Sequence, residues 1–219
     1  VFTAELLKIQ KKYNFYLLGG DLSKSNKLQI SSTFFGFQKY NNIVTRNSIN
    51  LNHDIWITGN LGDSYIGLQI LKKKLDIKNK KIKNYFLNKY FYPKPCMIGS
   101  QLIKYASSIT DISDGFIGDL KKMLNNYYGA KINLHNIPIS FNMRKLIKNN
   151  IILKKSILNT GDNYDLIVIA SKKNRNKIIN ISRKNKIKCS LVGEVIGKIQ
   201  ILDDSNNSLN ITKEFDHFR

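Results

Sequence analysis

Three short acidic turns hold the side chains that could do chemistry. Gly19-Gly20-Asp21 ends an apolar run, Phe15 to Leu18. Asp111-Ile112-Ser113-Asp114-Gly115 stands at the mouth of an amphipathic segment, and Gly161-Asp162-Asn163-Tyr164-Asp165 runs straight into the apolar stretch Leu166 to Ala170. Glycine lets the backbone come close to a phosphate, and a carboxylate can hold a hard cation between phosphate oxygens. Asp111 and Asp114 are three apart, so both can face one way across a first helical turn, with the Ser113 hydroxyl between them. Each turn also has a plainer reading. Gly-Gly-Asp is a common bend, and Asp and Ser are favoured at helix starts for capping alone. Asp165 can simply open a strand, whereas Asp162, on the glycine turn, is better placed to meet a ligand.

The segments that must position these turns follow from periodicity. Phe2, Leu6, Ile9 and Tyr13 predict a helix over 2–12, followed by strands at 15–18 and 28–37. A polar stretch, Gln38 to Asn42, is the candidate boundary. Asp54 to Thr58 reads as a strand, then Gly59-Asn60-Leu61-Gly62-Asp63 leads into a helix through about Lys73. Residues 74–95 are Lys-rich and aromatic and suggest no element. A short helix is expected from Ser100 to Tyr105. Phe116, Ile117, Leu120, Leu124 and Tyr127 mark a helix stopped near Gly129. A strand over 130–134, a helix over 143–148, a strand over 166–170 and a helix over 172–187 follow. Val192 to Leu202 reads as a hairpin of edge strands. Alternating strands and helices give the α/β (α+β) class.

Composition narrows the function classes. The chain has 219 residues, is 42% hydrophobic and has 3 Pro, which is a folding composition. Its net charge of +21 comes from 36 basic residues, of which only 5 are Arg. Nucleic-acid surfaces favour Arg forks, so the Lys runs read as solvated surface and no nucleic-acid partner is expected. No apolar run approaches the roughly 20 residues a spanning helix needs, so no membrane association is expected either. Cys96 and Cys189 are isolated, and with three scattered histidines they make no zinc pattern. They read as reduced thiols, and the expected compartment is the cytoplasm. The chain starts without Met and is helical almost at once, so a missing natural beginning is expected.

Taken in order, these segments resemble the thiamine-monophosphate kinase family. That family shows Gly-Gly-Asp-Thr-Thr-Arg, Arg-Ser-Gly-Ala, Thr-Gly-Thr-Leu-Gly-Asp, Asp-Ile-Ser-Asp-Gly-Leu, Gly-Gly-Asp/Glu-Asp-Tyr-Glu-Leu and an aromatic-Asp-His-Phe ending. Here the chain reads Gly19-Gly20-Asp21-Leu22-Ser23-Lys24, Thr45-Arg46-Asn47 and Thr58-Gly59-Asn60-Leu61-Gly62-Asp63. It continues with Asp111-Ile112-Ser113-Asp114-Gly115-Phe116, Thr160-Gly161-Asp162-Asn163-Tyr164-Asp165-Leu166 and Phe215-Asp216-His217-Phe218.

The resemblance implies the aminoimidazole-ribotide synthetase-like fold, with residues 1–43 the remainder of an N-terminal ATP-binding α/β domain and residues 44–219 a C-terminal α/β domain. It implies ATP contacts for Gly20, Asp21, Arg46 and Ser113, and Mg²⁺ ligation by Asp21, Asp111 and Asp114, which should then lie close together. Asp162 and Phe215 are expected on the thiamine moiety, with His217 structural. The implied reaction moves a phosphoryl group from ATP to thiamine monophosphate in thiamine diphosphate biosynthesis, using several Mg²⁺ ions, in a homodimer when complete. The competing readings are a selenophosphate or aminoimidazole-ribotide synthetase, an inactive remnant, and a basic nucleic-acid-binding protein. The chain departs from the family pattern at Leu22 and Lys24 and at Asn163. It also lacks the family's N-terminal Gly-Asp-Asp metal turn.

Overall fold

The computed structural model describes residues 2–37, 43–46, 48–149 and 154–209. The chain divides into two units, Val1–Lys39 and Tyr40–Arg219; the sequence boundary at 38–42 lies outside the described residues.

The first unit contains helix α1 (Phe2–Tyr13), whose residues are all exposed or half-exposed. The strands expected at 15–18 and 28–37 do not form; those residues have no ladder partners among the described residues. A strand is completed only by a neighbour that takes its N–H and C=O groups, and apolar residues alone do not provide one. Leu18, Phe34, Phe35 and Phe37 are accordingly exposed, and one edge-to-face contact links Phe15 to Phe34.

The second unit is built on a six-stranded sheet. Its elements are β1 (Asp54–Thr58), α2 (Asp63–Leu71), α3 (Lys80–Phe91), α4 (Gly99–Leu102), β2 (Ser108–Asp111), α5 (Phe116–Leu124), β3 (Gly129–Ile132), α6 (Phe141–Lys148), β4 (Leu166–Ala170), α7 (Arg175–Asn185), β5 (Cys189–Ile196) and β6 (Ile201–Asp203). The strand order is β2-β4-β1-β5-β3-β6. Every pair is antiparallel except β3 with β6, which is parallel.

The central strands read as unbroken apolar runs because both faces of the sheet are covered. Ile55, Ile57, Ile167 and Ile169 join one core with Ile66, Phe86, Phe116 and Leu120 from α2, α3 and α5. Trp56, Val168 and Ala170 point the other way, against Leu102 of α4 and Ile178 of α7. Each such buried side chain contributes roughly 1.5–3 kcal/mol relative to exposure, so the two cores fix the ends of β1, β2 and β4 in space.

Four departures from the sequence reading have physical causes. Residues 80–91 form a helix, α3, although only Phe86 is buried. Ile82, Tyr85 and Leu87 pack half-buried beside Phe86, and Asn79 caps the helix by accepting from the Ile82 N–H at 3.1 Å. Helix α5 stops at Asn125, which takes a left-handed conformation, rather than near Gly129, which starts β3. Residues 172–187 begin as a 3-10 turn, Lys172–Asn174, before α7. The 192–202 segment is not a hairpin, because β3 inserts between β5 and β6. Gly129 makes that insertion possible: a Cβ there would sit 1.9 Å from the Lys198 carbonyl oxygen. The lysines at 72–74 and 172–173 are exposed. Among the described residues no helix is long and apolar enough to cross a membrane.

Candidate functional site

The C-terminal end of β2 and the N-terminal end of β4 are neighbours in the sheet, with Asp111 opposite Leu166. The two acidic turns continue that pairing beyond the ladder. The Ile112 N–H donates to the Asp165 carbonyl at 2.8 Å, the Tyr164 N–H to the Ile112 carbonyl at 2.9 Å, and the Asp162 N–H to the Ser113 carbonyl at 2.9 Å. Gly161 is required for this approach, since a Cβ would lie 2.2 Å from the Ser113 oxygen. Asp111, Ser113, Asp114 and Asp162, nominated separately from the sequence, are thus brought to one end of the sheet.

The 161–165 turn is strained to present its side chains. Asp162 and Tyr164 both have positive φ, 59° and 56°. For a bulky residue such as Tyr this costs on the order of 1–3 kcal/mol, and the backbone bonds to Ile112 and Ser113 hold it there. The Tyr164 hydroxyl reaches back to Asp162 Oδ1 at 3.2 Å and orients it. Burial and the neighbouring Asp162 charge push the Tyr164 hydroxyl above its ordinary pKa.

A third turn, Gly59 to Gly62, is fastened to the 161–165 turn. Asn163 is its staple: Oδ1 accepts from the Gly62 N–H at 2.9 Å while Nδ2 donates to the Thr160 carbonyl at 2.9 Å. An amide can do both, whereas an ionised carboxylate can only accept, which accounts for Asn at a position where the family pattern has an acid. Beneath the turn, Asp165 accepts from Thr58 Oγ1 at 3.3 Å. Gly59 leaves room for it, because a Cβ would fall 2.1 Å from its Oδ1. Burial pushes the Asp165 carboxyl up to about 6, against the hydrogen bonds from Thr58 and the Asn60 N–H. Asp63, buried at 3% exposure, is structural: Tyr85 and Ser140 hydroxyls donate to it at 2.6 and 2.7 Å, tying α2 to α3 and α6.

Asp111 is exposed and Asp114 is partly so, with Lys122 Nζ ion-paired to Asp114 Oδ2. Ordinary carboxylate oxygens of this kind suit a hard cation. Two of them are fewer than a multi-metal cluster needs, and no group of three or more His, Cys, Asp or Glu that could hold a metal occurs among the described residues. The donor chemistry therefore fits magnesium, and the donor number of this loop alone does not complete a site.

Gly20 and the exposed Asp21 belong to the first unit, where the Ser23 hydroxyl donates to Asp21 at 3.1 Å. Arg46 is exposed, and its carbonyl accepts from the Ser108 hydroxyl, at the opposite end of β2 from Asp111. Phe215 and His217 lie outside the described residues. An open cleft of about 540 Å³, lined by His135, Arg144, Lys188 and Ser190 among others, takes no residue from the three turns. It touches the chemistry only indirectly, through the Gly59 N–H, which donates to the Lys188 carbonyl at 2.8 Å. Tyr164 and Asp119 were not singled out from the sequence, and Asn163 only as a departure from the family pattern. Their signal was position: each is a polar residue inside a nominated turn or four places after one.

Comparison with known proteins gives three findings. Residues 52–202 match the family "AIR synthase related protein, C-terminal domain". The thiamine-monophosphate kinase of Buchnera aphidicola subsp. Acyrthosiphon pisum is 35% identical over 225 residues, 99% of this chain and 68% of that protein. The enzyme of the same name from Escherichia coli is 26% identical over 99% of this chain and 68% of its own length. Among solved structures, thiamine-monophosphate kinase from Stenotrophomonas maltophilia superposes with a TM-score of 0.66 at 21% identity, over 75% of this chain and 54% of that one. The structure of AaThiL complexed with AMPPCP and TMP gives 0.65 at 20% identity, over 79% and 53%. At these identities the structural likeness shows the fold. The chain spans about two thirds of the length of the curated relatives, 68%, and just over half, 54%, of the first of these solved chains.

Proposed function

The chain belongs to the thiamine-monophosphate kinase family, within the AIR synthase-related proteins, and from that premise we propose that it serves ATP-dependent phosphorylation of thiamine monophosphate to thiamine diphosphate. The observation that carries the reading is the pairing of the two acidic turns, in which the Ser113 carbonyl accepts the Asp162 N–H. It sets the residues assigned to nucleotide and metal beside the residue assigned to thiamine. A phosphoryl donor and its acceptor need that adjacency. The relative complexed with AMPPCP and TMP, an ATP analogue and the acceptor, supports the same substrate pair.

The acceptor is itself a phosphate oxygen, anionic at neutral pH, so no general base has to deprotonate it. The task is to hold two polyanions together, and positioning with charge neutralisation is what such a site supplies. Asp111 and Asp114 are assigned to hold Mg²⁺, with Asp21 from the first unit as a further ligand. Bound there, magnesium would neutralise charge on the transferring phosphoryl group. Ser113 Oγ, Gly20 and Arg46 are assigned to the nucleotide, and Asp162 and Phe215 to the thiamine moiety. Tyr164 keeps the Asp162 carboxylate aimed. A homodimer and a cytoplasmic location complete the reading; the free cysteines Cys96 and Cys189 accord with a reducing compartment.

The test is steady-state kinetics against each substrate, on the chain carrying whatever N-terminal segment its gene encodes. Asp111→Asn and Asp114→Asn keep size and lose charge, and each is expected to lower kcat by about 100-fold or more with melting temperature nearly unchanged. Asp162→Asn is expected to raise KM for thiamine monophosphate more than KM for ATP. Full turnover with normal magnesium dependence in Asp111→Asn and Asp114→Asn overturns the metal assignment.

A further inference from the structure

Asp119 sits one turn inside α5, yet its carboxylate points back out of the helix. Its Oδ2 accepts from the backbone N–H of Ser113 and from that of Asp114, each at 3.0 Å. Its Oδ1 lies 3.4 Å from Lys122 Nζ, the same ammonium that pairs with Asp114. Asp119 is 6% exposed. Gly115 at the helix start contributes no side-chain cap, and Asp119 satisfies both of these N–H groups. Two adjacent N–H groups converging on one acceptor at a helix N-terminus are an anion seat, the natural place for a phosphate oxygen. In this chain the seat is filled from within.

We propose that Asp119 is a positioning residue that closes this anion seat and so commits the Asp111–Asp114 turn to holding a cation rather than a phosphate. With the N–H groups satisfied internally, the turn presents two carboxylates and one hydroxyl outward. Its attraction for phosphate is reduced to Ser113 Oγ, and nucleotide must arrive with its metal. The two oxygens of Asp119 have separate tasks. Oδ2 fixes the backbone of the turn, and Oδ1 adds a second carboxylate oxygen beside the Lys122 ammonium, which is paired with Asp114. The inference rests on the assignment of Asp111 and Asp114 to magnesium.

The experiment uses the full chain and three readouts: Mn²⁺ affinity by electron paramagnetic resonance, the Ser113 and Asp114 amide resonances during titration with inorganic phosphate, and the melting temperature. In Asp119→Ala, the two amides are expected to respond to phosphate, which leaves them unmoved in the parent chain, and Mn²⁺ affinity to fall roughly tenfold or more. Asp119→Asn keeps one acceptor oxygen, so phosphate stays out. The neutral amide holds the two N–H groups less firmly than a carboxylate does, so Mn²⁺ affinity falls, by less than in Asp119→Ala. A folded Asp119→Ala chain with silent amides and unchanged Mn²⁺ affinity overturns the proposal. If Asp119→Ala does not fold, Asp119→Asn decides, and parental Mn²⁺ affinity there is equally fatal. Mn²⁺ binding that ignores Asp114→Asn sinks the metal assignment and the cation half of the proposal together. A phosphate response in Asp119→Ala would then still uphold the closed seat.

Discussion

A Cβ added at Gly161 would lie 2.2 Å from the Ser113 carbonyl oxygen, whereas at Gly19 or Gly20 it would meet nothing within 4 Å. Both turns carry glycine beside aspartate, and the sequence treats them alike. The fold does not. Gly161 is demanded by the chain's own backbone, which closes on it so that Asp162 can stand beside the Asp111–Asp114 turn. Gly19 and Gly20 answer to no such demand within the described residues. A motif glycine therefore means packing in one turn and, under the proposed reading, ligand approach in the other.

The strongest way to break this comparison is Gly161→Ala. The clash is with main chain, which cannot swing aside, so a loss of about 3 kcal/mol or more is expected in urea unfolding. A loss below about 0.5 kcal/mol would show that the two turns separate without cost.

Asp165→Asn, under the same roof, has a smaller effect with a pH signature. The Asp165 carboxyl is pushed up to about 6 from 3.8. Between those values the unfolded chain has lost a proton that the folded chain keeps, so stability falls as pH rises through that window. Asn keeps an acceptor for Thr58 without the charge, and the variant is expected to gain about 1–2 kcal/mol at pH 8 and to lose that advantage near pH 4. Burial raises the Asp63 carboxyl in the same direction, so the quantity to plot is variant minus parent. A difference that is flat with pH removes Asp165 as its source.

The smallest effect on stability is expected at the open turn. Gly20→Ala should change unfolding by no more than about 0.5 kcal/mol, since it meets no atom and slightly stiffens the unfolded chain. ATP affinity should nevertheless fall, measured by calorimetry on the chain with its encoded N-terminal segment. Unchanged ATP affinity would leave Gly20 an ordinary bend.

These contrasts also explain what the sequence made legible. β1 and β4 were readable because both faces are buried, so every residue of Ile55 to Ile57 and Ile167 to Ala170 is apolar. The amphipathic start of α5 was readable for the same reason. What failed depended on partners. The run from Leu28 to Phe37 has strand chemistry and no neighbour, and β5 and β6 look contiguous until β3 takes the place between them. α3 was hidden because only Phe86 is fully buried and its other core-facing residues, Ile82, Tyr85 and Leu87, are half-buried among lysines. At the site, the acidic turns announced themselves by residue type. Their assembly by backbone bonds did not, and neither did Asp119, whose carboxylate looks like an ordinary helix-surface acid until its direction is known.

Because Gly62 is bonded to Asn163, Asp162 to Ser113 and Tyr164 to Ile112, none of the three turns can loosen without breaking bonds that another depends on. Their opening is then one event rather than three, and the amides of all three turns should exchange with solvent on a shared clock. Residues 16–37 are exposed and share no such bonds among the described residues, so they should keep many separate clocks, each running fast.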